Sequence, residues 1–298
     1  MKSHRSDEEQ IAHRVRSKVK LGRSKKGLPR DERKYIASIA TREKYEGNLR
    51  RFAKWLRSNK NLSLSDANVG IAVIYLKILA KRVVQKTVDG YRESIRLLCD
   101  LDVPYVQSKK PTVIKYPAYT VEQIKILCDN ANPALALAIR VAYYGGLRAH
   151  ELDTFGRPTD LEESDRKWIP ERFEAREPCQ LFNAPGKGKL TRGVMLPCDI
   201  AEEVEACRLP QPCEIKQRKI IYEKFYAIPG GQRFSQAFSR LSKRIFGWST
   251  GAHGLRHRFA KERYTEFIKL GYRHDDAVKL LSQLLGHFSI KNTLTYLR

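Results

Sequence analysis

Residues 253–298 read HGLRHRFAKERYTEFIKLGYRHDDAVKLLSQLLGHFSIKNTLTYLR, and four of their side chains, His253, Arg256, His287 and Tyr296, organise the reading of the whole chain. The pattern predicts helices that open at His253, Asp275 and Ser289. His253 and Arg256, spaced i, i+3, face the same way at the start of the first helix, where backbone N–H groups also favour an anion. Tyr296 follows His287 by nine residues, across one turn. A tyrosine hydroxyl, with a reference pKa of about 10, is a poor nucleophile at neutral pH unless a base and electrostatic stabilisation help it. His253 or His287 could supply that help. The stretch KERYTEFIKLGYRHDD between the two boxes has no assignable role.

Two further strings lie upstream, YGGLRAHEL (Tyr144 to Leu152) and GKGKLTR (Gly186 to Arg192). Taken singly, each of the four strings has a plain structural reading: a buried or capping histidine, an arginine paired with Glu151 three residues on, a tyrosine closing a terminal helix. Taken in order, they supply what metal-free phosphoryl transfer on DNA needs. Guanidinium groups hold two oxygens of a phosphodiester bidentately and stabilise the extra charge of its pentacoordinate transition state, which makes Arg148 and Arg256 natural clamps. The leaving deoxyribose oxygen needs a proton. Lys187, at a glycine-flanked hairpin tip that can approach a backbone closely, is the best candidate general acid, with Lys189 and Arg192 as competitors.

Around these boxes the chain reads as two domains. Thr120-Val121-Glu122-Gln123 matches a capping box and opens a helix, a second helix over Ala134 to Tyr144 stops at Gly145-Gly146, and a short helix resumes at Arg148. Trp168-Ile169, Gln180 to Asn183 and Thr191 to Leu196 look like strands, the last two joined by the turn Pro185 to Gly188. Helices are then expected at Asp199 to Cys207, around Ile215 to Tyr226 and at Ser235 to Phe246. Upstream, VPYVQSKKPTVIKYPAYT (103–120), with three prolines, reads as a linker. Before it, Tyr45, Leu49, Phe52 and Leu56 form one helical stripe, Gly70 to Lys81 a second helix, and Val88, Tyr91, Ile95 and Leu98 the stripe of a third. Arg50 and Lys54 fall on the polar side of the first, and Arg92 and Arg96, one turn apart on the third, could contact phosphates. Residues 1–30 carry ten Lys/Arg and almost no apolar periodicity, and read as a basic flexible arm.

Composition narrows the partner. The 298 residues carry 57 Lys+Arg against 33 Asp+Glu, a formal net charge of +24, which attracts polyanions, nucleic acid first. An anionic membrane surface comes second on charge alone, but no run approaches the roughly 20 apolar residues of a spanning helix, so a membrane protein is not expected and no membrane is carried among the partners. The six cysteines lack zinc spacing and the opening lacks a secretory h-region, which points to reduced thiols and a cytoplasmic setting. No Asp/Glu cluster suited to a metal-dependent nuclease accompanies the histidines.

With these residues in place, the chain resembles the tyrosine recombinases, or phage integrases. That family carries an Arg in a GLR-x-x-E-L setting, a Lys on a β-hairpin often written GKG, an H-x-L-R box, and L-G-H followed nine residues on by the nucleophilic Tyr. Arg148 with Glu151 and Leu152, Lys187, His253 to Arg256, and Leu285 to His287 with Tyr296 match in order. The resemblance implies a mainly α fold: a basic arm (1–30), a SAM-like helical core-binding domain (31–105), a linker (106–118) and a mixed α+β catalytic domain (119–298) with a small antiparallel sheet. It implies attack by Tyr296 to give a 3′-phosphotyrosyl link and a free 5′-hydroxyl, without ATP, metal or other cofactor. Arg148 and Arg256 would bind the non-bridging oxygens, Lys187 would protonate the leaving oxygen, His253 would move a proton, His287 would hydrogen-bond the phosphate and Glu151 would brace the arginine site. The candidate DNA contacts, taken from position and the chain's charge, are Arg50, Lys54, Arg92, Arg96, Lys189 and Arg192. The implied partners are double-stranded DNA with inverted-repeat core sites, a homo-tetramer exchanging strands through a Holliday junction, and an accessory DNA-bending protein. The alternatives are a catalytically quiet DNA-binding accessory protein of the same fold, or a type IB topoisomerase or telomere resolvase with similar tyrosine chemistry.

Overall fold

The computed structural model describes residues 6–297 apart from 24, 26, 30, 112–117, 177–178, 187–189 and 218–219. The chain divides into two compact units, 1–114 and 115–298.

The first unit holds α1 (Asp7–Lys18), α2 (Ile39–Lys60), α3 (Val69–Ala80) and α4 (Gln85–Cys99). The stripe of α2 does what its spacing predicts: Leu49, Phe52 and Leu56 are buried, in one core with Leu76, Val88, Ile95 and Leu98. Asn48 ties α2 to α4, donating to the Gly90 carbonyl at 3.1 Å and to Ser94 Oγ at 3.3 Å. The arm reading does not hold for residues 7–18, which are helical. Ser6 and Glu9 form a reciprocal capping box, and Ile11 and Val15, one turn apart, are buried in the same core. Glu8 pairs with Arg50 and Asp7 with Arg57, which draws the acidic end of α1 onto α2. The start of the expected linker is also docked: Val106 is buried, and Lys109 N–H donates to the Ala80 carbonyl.

The second unit contains α5 (Val121–Asp129), α6 (Pro133–Tyr144), β1 (Cys179–Pro185), β2 (Thr191–Pro197), α7 (Cys198–Ala206), β3 (Arg208–Gln217), β4 (Ile220–Tyr226), α8 (Gly231–Phe246), α9 (His253–Lys269), α10 (His274–Leu284) and α11 (Ile290–Leu294). It is mainly helical with two small antiparallel sheets, β1 with β2 and β3 with β4. The register of the first opposes Asn183 to Gly193, Ala184 to Arg192 and Pro185 to Thr191. Three local expectations are corrected. The helix expected around Ile215 to Tyr226 is the β3–β4 hairpin, where Phe225 and Tyr226 turn into the core of the unit. Trp168-Ile169 is no strand but the lead into a 3-10 turn at Pro170–Phe173, because proline stops further pairing and the Ile169 N–H donates to Gln283 Oε1 at 2.7 Å. The short helix after Arg148 shrinks to a 3-10 turn at Glu151–Asp153. No described helix is long and apolar enough to cross a membrane.

Candidate active site

Two helix ends build the site in the same way. At the end of α6, Gly146 adopts φ +57°, and the Leu147 N–H reaches back to the Ala142 carbonyl at 3.0 Å. At the end of α10, Gly286 adopts φ +61°, and the His287 N–H reaches back to the Ser282 carbonyl at 2.8 Å. Both are left-handed glycine C-caps, a conformation that costs other residues a Cβ clash. Each turns the chain sharply inward, delivering Arg148 after the first and His287 after the second. At Gly146 the need is doubled, since a Cβ there would stand 2.4 Å from the Phe259 ring.

Arg148 then folds onto Glu151. The carboxylate accepts from Arg148 Nη1 at 2.5 Å and from the Arg148 backbone N–H at 2.9 Å. Arg256, in the first turn of α9, is fully buried and donates to the carbonyls of Gly146 and Leu285, so that one guanidinium joins both turns. Its Nη1 is 3.6 Å from Glu151 Oε2. Burial lowers Arg256 to about 9, against the opposing pull of Glu151, and leaves it protonated at neutral pH. Burial by itself would raise Glu151, but Arg192, Arg256 and Arg148 together hold it well below the usual carboxylate range.

The nucleophile candidate arrives just past the end of α11. Ser289 caps that single turn, accepting from the Asn292 N–H, and the Thr293 hydroxyl donates back to the Ser289 carbonyl. Tyr296 is thereby laid against α9, with its hydroxyl 3.0 Å from His253 Nε2 and its ring 5.7 Å from the Arg256 guanidinium. His253 is exposed along one edge, yet the protein packed about its ring, then the charges of Arg256, His257 and Arg148, lower it to about 4. His287, 5.1 Å from the Tyr296 ring, is lowered by burial and then by Arg256 and Arg148 to about 3. Both rings are neutral at pH 7. With its proton on Nδ1, His253 presents an Nε2 lone pair to the tyrosine hydroxyl.

Of the residues singled out in the sequence, Arg148, Glu151, His253, Arg256, His287 and Tyr296 come together here. Lys187 and Lys189 lie outside the described residues. Gly186 N–H donates to the Leu190 carbonyl at 2.7 Å, one step beyond the β1–β2 pairing. Arg192 is corrected: it is 1 % exposed and faces the interior from β2, where it binds Glu151, so it is neither a surface contact for DNA nor a competitor for the general acid. Of the helical unit's candidates, Arg50 is held by Glu8 and Glu46, Arg92 by the carbonyls of Val103 and Pro104, and Arg96 by Asp102, while Lys54 is exposed on α2. One neighbour of Tyr296 escapes the sequence reading. His257, one turn beyond His253, stacks on the Tyr296 ring at 4.5 Å and 26°. The i, i+4 spacing of the two histidines is the signal that could have found it.

Comparison with solved structures shows that this architecture has the fold of solved tyrosine recombinases. The chain superposes on XerH site-specific recombinase bound to difH substrate in a pre-cleavage complex with a TM-score of 0.60 at 16 % identity, over 99 % of this chain and 94 % of that one. Against XerH bound to palindromic difH in a post-cleavage complex the TM-score is 0.58 at 15 % identity, over 98 % and 90 %. Against a lambda integrase dimer bound to a COC′ core site it is 0.51 at 14 % identity, over 97 % and 76 %. No family model and no curated protein matches the sequence. The likeness covers both units, and the chain has the tyrosine-recombinase fold.

Proposed function

We propose that this chain, built on the tyrosine-recombinase fold, is a site-specific DNA recombinase that breaks and rejoins DNA through a 3′-phosphotyrosyl intermediate on Tyr296. The observation that carries the reading is the Tyr296 hydroxyl 3.0 Å from the neutral Nε2 of His253, beside the guanidinium groups that Glu151 organises. Tyr296 oxygen attacks phosphorus as its proton passes to His253. The bond to the 5′-oxygen breaks, and Lys187 donates the proton that makes it a hydroxyl. Arg148 and Arg256 hold the non-bridging oxygens, which gain charge in the transition state, and His287 hydrogen-bonds one of them. Reversal by a different strand's 5′-hydroxyl reseals the backbone, so the phosphodiester energy is conserved in the enzyme link.

The DNA-bound recombinases of this fold, one on palindromic difH and one a dimer on a core site, support a double-stranded substrate with inverted repeats. On this reading residues 1–114 supply a core-binding domain, residues 115–298 supply the chemistry, and a homo-tetramer exchanges strands on synapsed sites. The test is covalent capture: wild type and Tyr296→Phe are incubated with fragmented source DNA in EDTA, denatured, and the protein-linked ends sequenced. Adducts at one recurrent inverted-repeat sequence, absent from the variant, are the expected result. Salt-sensitive binding without an adduct would instead fit a quiet accessory protein, and plasmid relaxation without any preferred site a topoisomerase.

A further inference from the structure

Glu151 is enclosed by three guanidinium groups that do not share it equally. Arg148 takes Oε1 at 2.5 Å, Arg192 Nη2 takes Oε2 at 3.0 Å, and Arg256 Nη1 stands 3.6 Å from Oε2 while it donates to two carbonyls. Three cations meet one carboxylate, so the cluster carries an excess of two positive charges. Arg192 shares with Arg256 a fully buried setting: both donate to the Gly146 carbonyl, and Arg256 Nε is likewise buried without an acceptor among the described residues, but of the two only Arg192 hydrogen-bonds Oε2 directly. Its Nε donates to the Leu284 carbonyl at 2.7 Å, and its Nη1 is buried without an acceptor among the described residues. The Cβ that Gly286 lacks would stand 3.2 Å from Arg192 Cδ, so the left-handed turn before His287 packs directly on the arginine stem.

We propose that Arg192 is a charge-balancing residue: it holds the negative charge of Glu151 so that Arg148 and Arg256 keep theirs for the incoming phosphodiester. The inference rests on the phosphate-clamp reading given above. Without Arg192, Oε2 loses its nearest side-chain cation and has Arg256 next in reach. A direct ion pair there, away from water, is strong, and the phosphate must then compete with a carboxylate for its own clamp. Arg192 acts through Glu151 and touches no reacting atom, which makes it a positioning residue.

The charge argument predicts a rescue that a packing role does not. Single-turnover adduct formation is measured in EDTA on a synthetic duplex of the sequence recovered by covalent capture, for wild type, R192M, R192K, E151Q and R192M/E151Q, with thermal unfolding of each. R192M is expected to slow cleavage about 100-fold, in the range of a lost transition-state donor, and R192K, which keeps the charge, less than about tenfold. Removing the carboxylate's charge as well, in R192M/E151Q, should restore at least about tenfold over R192M, because nothing is left to balance. If R192M melts below the assay temperature, R192Q and R192Q/E151Q make the same comparison. A double variant no faster than its arginine parent, or R192K as slow as R192M, overturns the proposal. Absence of any wild-type adduct overturns the recombinase reading and this inference with it, whereas a wild-type adduct with losses that merely add overturns the role of Arg192 alone.

Discussion

His257 shows how a residue of no obvious chemistry acquires a task from its position. Its ring lies 4.5 Å from that of Tyr296 and edge-on to His253 at 5.3 Å, so the Tyr296 ring is stacked against α9. Stacked aromatic pairs contribute about 0.5–1.5 kcal/mol beyond their buried area, which corresponds to about a tenfold change at most in how often the hydroxyl is docked. His257→Ala should therefore lower the saturating single-turnover cleavage rate by up to about tenfold and leave the half-saturating DNA concentration unchanged. His257→Phe, which keeps a ring to stack on, should retain most of the rate; an alanine variant as fast as wild type would remove His257 from the site. The ordered boxes made Arg148, Glu151, His253, Arg256, His287 and Tyr296 legible because each sits at a fixed spacing from a helix start or a glycine cap. The buried position of Arg192 was not legible in the sequence. A surface arginine and a buried one are the same letter, and only the β1–β2 register, with Ala184 opposite Arg192, turns this one inward beneath Glu151.

At the scale of elements, α1 is the clearest departure from the sequence reading. Its two buried side chains, Ile11 and Val15, are too few to stand out against a run of lysines and arginines, and the helix is held by what it packs on. Replacing Ile11 by Ala should cost about 2–5 kcal/mol of stability, and Ser6 by Ala about 1 kcal/mol through loss of the cap. Denaturant unfolding of the full chain checks both, and a midpoint unmoved by Ile11→Ala would mean that the helix contributes nothing to the fold. The β3–β4 hairpin was misread for a different reason: Ile220 and Ile221 are adjacent and the charged residues interrupt the alternation, so neither period dominates. The unassigned stretch 261–276 also finds a physical account. Arg263 is fully buried, donating to the carbonyls of Arg172 and Glu174, and so fastens the second half of α9 to the segment before β1. That segment also supports the turn from α10 toward α11. Gln283 of α10 both accepts from Ile169 N–H and donates to the Lys167 carbonyl, while Trp168 meets the Phe288 ring at 4.8 Å. Phe288 itself is held at φ +46°, a strained setting for an aromatic residue, between His287 and the cap of α11.

Over the whole molecule, the same electrostatics that prepare the site should make the fold sensitive to acid. The charge of +24 is not all on the surface, since Arg192, Arg256 and Arg263 are buried, and the field of Arg256 reaches both His253 and His287. His253 at about 4 and His287 at about 3 lie below the unfolded value of about 6.5. Between those limits the unfolded chain binds protons that the folded chain refuses, so stability rises with pH across the window. The contribution of the two rings is fully present above about pH 6.5 and is lost as pH falls toward their folded values. Glu151, also depressed, adds a loss of the same sign at lower pH, below the ordinary carboxylate range. Cleavage should follow a different course: the neutral His253 proposed to accept the tyrosine proton persists down to about pH 4, so on that proposal the base does not limit the rate between pH 7 and 5. Thermal unfolding of the full chain from pH 7.5 to 5.0 should therefore show a falling midpoint, and His253→Asn/His287→Asn, which has no proton to take up at either position, should show a shallower fall. Identical slopes for the two proteins would mean that the site histidines are not held neutral, and the assignment of His253 as the resting proton acceptor for Tyr296 would fall with them.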